Sequence, residues 1–322
     1  MTAGSKLEGG DMIMCCGEAL IDMIPREDAD GGHCLKPHVG GAVFNTAIAL
    51  GRLGVSSTFL SGISKDLFGK LLLDALHYSN VQTDLAMLSD RPTTLAFVEL
   101  VDGQATYIFY DENTAGRMLD PNELPSIPDV TKAMYFGGIS LINEPAADFY
   151  VALAERESSR RIIVADPNIR ANFISNEVAY RGRLEQLIAC VDIVKVSDDD
   201  LHWIIPGALT LVEKAQTLRE QGAAIVVLTK GSAGACAFFG AGQVVEVPVQ
   251  AVQVADTVGA GDTFNAGVLA SLDRVGLLSR ERFKDVDEGA LRAALELGAK
   301  VASITVSRQG ANPPWAHEFA PF

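Results

Sequence analysis

Positive charge is scarce in this chain: 26 lysines and arginines stand against 41 aspartates and glutamates, a net charge of −15 at pH 7 over 322 residues. A nucleic-acid or anionic-membrane surface needs a basic face, so both partners are excluded. Any anionic substrate must then be met by local groups rather than by the field of the whole protein. Cysteine is also sparse, five residues with Cys15 and Cys16 adjacent. Their spacing fits neither a metal set nor an even disulfide framework, which points to thiols in a reducing cytoplasm. No apolar run approaches membrane-spanning length, and residues 1–10 lack the apolar centre of a signal peptide. These ten residues are expected to be a disordered leader before a first strand at Met12 to Cys16. Three phosphate-handling signatures are missing as well: G-x-x-x-x-G-K-[ST], G-x-G-x-x-G after the first strand, and a His-Arg-Asp loop. Their absence sets aside P-loop enzymes, nicotinamide dehydrogenases and protein kinases together.

What is present is an α/β pattern with 48% hydrophobic residues, enough for one large core. Residues 11–322 are expected to form a single domain. Apolar strands at Ser57 to Leu60, Ala133 to Phe136, Arg161 to Ala165, Ile193 to Val196 and Ala224 to Leu228 alternate with amphipathic helices, as in a parallel sheet. Between the first and second of these the period changes. Thr93 to Val101 and Thr106 to Tyr110 flank Asp102-Gly103, a hairpin signal that a parallel sheet does not accommodate. With extended pieces around Asp22 to Ile24 and Cys34 to Val39, they predict a small separate sheet, a lid built from residues 19–39 and 92–112. Phe97, Tyr107 and Phe109 are candidates for its inner face, with ordinary lid packing as the alternative.

The stretch Asp256-Thr257-Val258-Gly259-Ala260-Gly261-Asp262-Thr263-Phe264 reads as an anion cradle. Gly259 and Gly261 let successive amides converge on a phosphate at a helix N-terminus. Asp262 falls in or near the first helical turn, where a carboxylate beside a phosphoryl group makes sense as a general base for an attacking hydroxyl. A helix cap is the plain alternative. Asp22 lies just beyond a strand end, where open α/β sheets bind ligands, or is a turn aspartate. Gly40 and Gly41 offer a hinge or a close approach, and Asn45 on the following helix needs a polar partner, inside the fold or on a polyol. Later strand ends carry Asp166-Pro167-Asn168-Ile169-Arg170, then Lys195-Val196-Ser197-Asp198-Asp199-Asp200, then Thr229-Lys230-Gly231-Ser232-Ala233-Gly234. Arg170, Lys195 and Lys230 would supply the missing positive charge, Arg170 as a phosphoryl clamp. Asp200 could hold the water shell of Mg²⁺, and surface charge is the alternative for each.

These residues resemble the ribokinase-like (PfkB) carbohydrate kinases from first strand to tail. D-T-x-G-A-G-D-T-F at Asp256 and G-G-x-x-x-N at Gly40 are that family's signatures. The segments from Gly17 to Asp22, Phe109 to Ala115, Asp166 to Arg170 and Gly310 to Trp315 look most like its bacterial fructokinase group. The resemblance implies a three-layer α/β/α fold with a mainly parallel central sheet and a small β-sheet lid. It implies ATP-dependent phosphorylation of the primary hydroxyl of D-fructose to fructose 6-phosphate. Asp22, Gly41 and Asn45 would hold sugar hydroxyls, Gly40 and Asn168 lying beside them. Asp262 would be the base, with the amides of Gly259, Ala260 and Gly261 as anion hole. Thr229, Gly231 and Gly234 match the nucleotide motif T-x-G-x-x-G, near Lys195, Ser197 and Lys230. The family's N-x-x-E motif survives only as Ser197 to Asp200, leaving Asp200 for Mg²⁺. A monovalent cation, K⁺, would fall on Asp256, Val258, Thr305, Arg308 and Gly310. Kinases of ribose or 2-keto-3-deoxygluconate, nucleoside kinases and a non-catalytic sugar-binding regulator are the competing readings, and a homodimer is one reading of the assembly.

Overall fold

The computed structural model describes residues 11–28, 30–101 and 104–319, with the side chains of residues 98–107 outside that description. Residues 1–10, expected to be a disordered leader, lie outside the described residues. The first part of the chain runs through β1 (Met12–Cys16), β2 (Leu20–Glu27), β3 (His33–Gly40), α1 (Ala42–Arg52), β4 (Ser57–Leu60) and β5 (Gly62–Ser64). It continues with α2 (Leu67–Tyr78), β6 (Val81–Gln82), β7 (Met87–Ser89), β8 (Leu95–Val101), β9 (Gln104–Tyr110) and β10 (Thr131–Gly137). The middle holds α3 (Ala146–Glu157), β11 (Ile162–Asp166), α4 (Glu177–Cys190), β12 (Ile193–Ser197), α5 (Asp198–Ile204) and α6 (Leu211–Glu220). The last part is β13 (Ile225–Thr229), β14 (Ala235–Phe239), β15 (Gln243–Val247), α7 (Ala260–Arg274) and α8 (Glu288–Val306).

Nine strands form the large sheet in the order β15-β14-β13-β12-β11-β10-β1-β4-β6. From β13 to β6 every pairing is parallel. All five residues of β1 are buried because both faces of the sheet are covered. Ile13 and Cys15 join the core beneath α1, α7 and α8, while Met14 and Cys16 join the core beneath α3 and α4. The three-layer arrangement follows from that two-sided burial. Helices α7 and α8 meet closely where a Cβ on Gly267 would stand 2.6 Å from Cα of Gly298, so glycine at this crossing seats α7 against its neighbour. The antiparallel edge β13-β14-β15 was not anticipated.

The small sheet has the order β3-β2-β8-β9, with β2/β3 and β8/β9 antiparallel and β2/β8 parallel. It is assembled from the two segments expected to make a lid. Asp22 is not beyond a strand end but is the third residue of β2. Register places Asp22 opposite His38 on one side and Ala96 on the other, and Ala96 opposite Phe109, so these residues share one face. Ile21, Met23, Val39, Phe97, Ile108 and Tyr110 belong to the other face.

Candidate active site

A cavity of about 310 Å³ lies between the small sheet and the edge of the large sheet where the parallel strands end. Its walls include Glu18, Asp22, Gly41, Asn45, Phe109, Asn168, Arg170, Phe173 and the turn Thr257 to Asp262. Helix α7 starts at that turn. Gly259, at φ +77°, caps it without any side-chain hydrogen bond, so the helix-cap reading of Asp262 does not hold. A side chain on Gly259 would be strained in this left-handed conformation, and its Cβ would stand 2.7 Å from that of Ala311. The amide of Ala260 donates to the Thr257 carbonyl at 3.3 Å, whereas no described residue accepts from the amides of Gly261 and Asp262. Two first-turn donors are thus left for a ligand.

Asp262 is buried on the third position of α7 and accepts a hydrogen bond from Asn45 Nδ2 at 2.9 Å. Thr46, one residue on, donates to the Asp262 carbonyl, so α1 and α7 fix the aspartate from two directions. Burial pushes the carboxyl up to about 7, Asn45 pulls against it, the Asp166 carboxylate raises it, Lys195 lowers it and Glu18 raises it. A carboxyl poised there can take a hydroxyl proton near neutral pH.

Beneath Asp262 lies a buried polar network that sequence reading did not connect. Asp166 Oδ2 accepts from Lys195 Nζ at 3.0 Å and from Asn265 Nδ2 at 2.7 Å, and Asn265 also donates to the Tyr135 hydroxyl. Burial pulls the Lys195 ammonium down, but Asp166, with Asp200 and Asp262 further off, outweighs it and holds the charge. A Cβ on Gly261 would stand 3.3 Å from Lys195 Nζ, which places a fixed cation beside the free amides. Glu18 is the other unanticipated group. One of its oxygens accepts from the Ala42 amide at 2.8 Å and the other from the Ser140 amide at 3.3 Å, tying the starts of α1 and of the Gly138 turn together. An acidic residue directly after Gly17, the glycine that follows β1, was the available signal.

A second, larger cavity of about 710 Å³ lies on the far side of the Gly259 turn. Lys195, Ser197, Thr229, Gly231 and Gly234 line it together with apolar Val249, Val252, Val254, Phe264 and Val306. Thr257, Ala260 and Gly261 line both cavities, so the turn is their common wall.

Several expected residues are placed differently. Phe97 is on the outer face of the small sheet, packed edge-on against Tyr110 at 5.2 Å, and does not line the cavity. Phe109 does, with its ring 4.5 Å from that of Phe173. Tyr107 lies outside the described side chains. Lys230 pairs with Glu246 at 3.3 Å and lines neither cavity. Arg170 lines the first cavity, with its guanidinium held on the carbonyls of Asn168 and Ile169. Asp200 is buried and spent on the backbone: it accepts from the amides of Ile169 at 2.8 Å and Ser197 at 2.9 Å, closing a capping box on α5. Among the described residues no group of three or more acidic, histidine or cysteine side chains could hold a metal ion. Gly40 supports Asp22 directly, since a Cβ there would fall 2.2 Å from the Asp22 carboxylate. Asp256 bridges the Val258 amide at 3.1 Å and the Gly310 amide at 2.9 Å, which draws the Gly259 turn and the segment after α8 together. The Thr305 hydroxyl is turned into its own helix toward Val301, and Arg308 pairs with Glu318.

Two cavities that meet at a glycine turn, with unpartnered amides and a buried carboxyl beside it, suit phosphoryl transfer, and comparison with known proteins agrees. Residues 11–318 match the pfkB family of carbohydrate kinases, and the chain belongs to that family. It is 48% identical over 282 residues to a fructokinase of Rhizobium leguminosarum bv. trifolii, covering 87% of this chain and 86% of that one. It is 32% identical over 317 residues to a probable fructokinase-7 of Arabidopsis thaliana, covering 94% and 89%. The crystal structure of a fructokinase with bound ATP from Xylella fastidiosa is similar with a TM-score of 0.84 at 26% identity, over 93% of each chain.

Proposed function

We propose that the chain transfers the γ-phosphoryl group of MgATP to the primary hydroxyl of D-fructose, giving fructose 6-phosphate and ADP. The observation that carries this reading is Asp262, buried in the smaller cavity on Asn45 and directly after Gly261 of the turn that walls both cavities. Fructose occupies the smaller cavity, where Asp22 accepts from its hydroxyls and Asn45 steadies the base. The nucleotide occupies the larger one, its base against the valines and its phosphates toward Lys195, Thr229 and Gly231. Asp262 takes the hydroxyl proton as the oxygen–phosphorus bond forms and the bond to the ADP oxygen breaks. The amides of Gly261 and Asp262, with Lys195, stabilise the charge in transfer. Mg²⁺ enters as part of the nucleotide and is held chiefly by phosphate oxygens and water, which suits a site where Asp200 is already engaged. A coupled assay over sugars, sugar acids and nucleosides tests the substrate. Turnover confined to nucleosides would overturn it, and the Phe109–Phe173 pair in the cavity wall makes that the second reading.

Further properties belong to the same proposal. The segments around Asp256, Val258, Thr305, Arg308 and Gly310, drawn side by side by the Asp256–Gly310 bond, would hold K⁺, whose charge would help order the Gly259 turn. Equal rates in K⁺, Na⁺ and a bulky organic cation would remove this step. The outer face of the lid leaves Leu35, Ile108 and Tyr110 exposed. This apolar surface supports a homodimer through the lids, and light scattering showing a monomer would refute it. Five free thiols support a cytoplasmic location. Cell fractionation that recovered the protein outside the cytoplasm would overturn that placement.

A further inference from the structure

Three neighbouring strands send side chains into the layer beneath α7. Tyr135 on β10, Val164 on β11 and Ile193 on β12 all belong to the core on that side of the large sheet. Alternation therefore points Asp166 and Lys195, two residues past Val164 and Ile193, to the same side. Facing them, α7 brings Asn265, one turn beyond Asp262 on the same face of the helix. Tyr135, Asp166, Lys195 and Asn265 are all buried. Asp166 is held through both oxygens: Oδ1 accepts from the Asn168 amide at 3.0 Å, and Oδ2 accepts from Lys195 Nζ at 3.0 Å and from Asn265 Nδ2 at 2.7 Å. Asn265 Nδ2 also donates to the Tyr135 hydroxyl at 2.9 Å, so the amide is fixed at two points.

Among the described residues Asp166 is the one hydrogen-bond partner of Lys195. An ammonium carries three donors, so two remain for a ligand, and Lys195 lines the larger cavity beside Gly261. Lysine is a point charge on a flexible stem. Unheld, the ammonium would follow whatever anion the larger cavity contains, and a charge that must move during transfer stabilises the reaction less than one already in place. We infer that Asp166 and Asn265 are positioning residues for the transfer step, acting through Lys195 by holding its ammonium against the turn between the two cavities. This rests on the reading that a phosphoryl group is transferred across that turn. Asp166 supplies the counter-charge, and Asn265 fixes the carboxylate oxygen that meets the ammonium. Neither residue lines either cavity, so their influence on a substrate passes through Lys195.

The test is a double-mutant cycle on kcat in the full-length enzyme. Lys195→Met alone should lower kcat about 10²-fold, the loss expected when one charge-stabilising donor is removed. Asn265→Ala alone should lower it about tenfold, as for one hydrogen bond to a charged group, with the fructose KM unchanged. Asn265→Ser, too short to span both acceptors, is the second variant should the first fail to fold. In the Lys195→Met background the Asn265 change should cost no more than about twofold, because its route to the reaction is gone. Losses that multiply, or a wild-type kcat in the Asn265 variant, would overturn the inference. Asp166→Asn adds a readout that packing alone would not move. Burial lowers Lys195, while Asp166, then Asp200 and Asp262, raise it. Asp262 in turn is raised by Asp166 and Glu18 and lowered by Lys195. Without the Asp166 charge, both the acid and the alkaline limb of the kcat/KM profile should shift to lower pH. Unmoved limbs, or an acid limb that moves alone, would show that Asp166 does not act through Lys195. If wild type turns over no fructose, the substrate reading fails separately, and the cycle is run on whichever sugar or nucleoside is phosphorylated.

Discussion

The two cavities share one wall and differ in every other respect. The smaller is polar and acid-lined, with Glu18, Asp22 and Asp262 around about 310 Å³. The larger, at about 710 Å³, is walled by valines, three of which, Val249, Val252 and Val254, are 47%, 41% and 59% exposed. A polar site recognises by satisfying specific donors and acceptors, and it rejects analogues that leave those groups unpaired. An apolar cleft recognises by area and tolerates small changes. On the proposed function, specificity therefore resides on the sugar side and affinity for the nucleotide on the other, with the chemistry beside the Gly259 turn that both touch.

Perturbing Asp262, next to the common wall, should have the largest effect. Asp262→Asn keeps the Asn45 contact but cannot take a proton, so kcat should fall about 10² to 10⁴-fold while both KM values persist. Near wild-type kcat would remove the base from the mechanism. Next comes the sugar side: Asp22→Ala should raise the fructose KM by about 10- to 100-fold, as expected for a hydrogen bond to a charged group, without changing the ATP KM. A shift in both KM values would show that the cavities are not independent.

The nucleotide side should respond more weakly. Val252→Ser removes part of an already exposed apolar wall and should raise the ATP KM only a few-fold, leaving fructose unaffected. A larger change would make the cleft as exacting as the sugar site. The smallest effect is read in stability. Asp262 is raised in the folded state from 3.8 to about 7. Its contribution to stability is therefore full below about pH 4 and lost as pH rises through about 7, where ionising it in the fold is unfavourable. Asp262→Asn should accordingly melt higher relative to wild type at pH 8 than at pH 4, and an unchanged difference would contradict the burial of this carboxyl. The same ionisation predicts that wild-type kcat/KM falls below about pH 7.

Much of this was legible because the chemistry is local. A glycine turn leading into a helix, and a second glycine pair before Asn45, carry their meaning in a dozen consecutive residues. The helices α2 and α3 likewise follow from apolar periodicity. What remained hidden depends on groups distant in sequence. Glu18 acts through amides 24 and 122 residues away, and the Asp166 network joins four elements with no shared motif. Phe97 and Phe109 both lie on lid strands and differ only in parity, which becomes decidable once the Asp22–Ala96–Phe109 register is known. Asp200 misleads for the opposite reason: its three-residue relation to Ser197 is a complete local use, a capping box, that leaves composition looking like a metal site. The β14/β15 pair was missed because the strand reading stopped at β13, where the chain turns back on itself.

The Asn45–Asp262 hydrogen bond spans 217 residues, and that separation sets a timetable. On a ribosome adding about 5 to 20 residues per second, roughly ten to forty seconds pass between the making of Asn45 and the making of Asp262. During that interval α1 has emerged with the Asn45 amide unsatisfied, and the strand ends that border the cavities are exposed without the turn that separates them. A nascent chain in this state has both halves of a substrate platform but no means of joining them. Catalytic competence is thus among the last properties the molecule acquires, arriving with α7 after most of the sheet has been laid down.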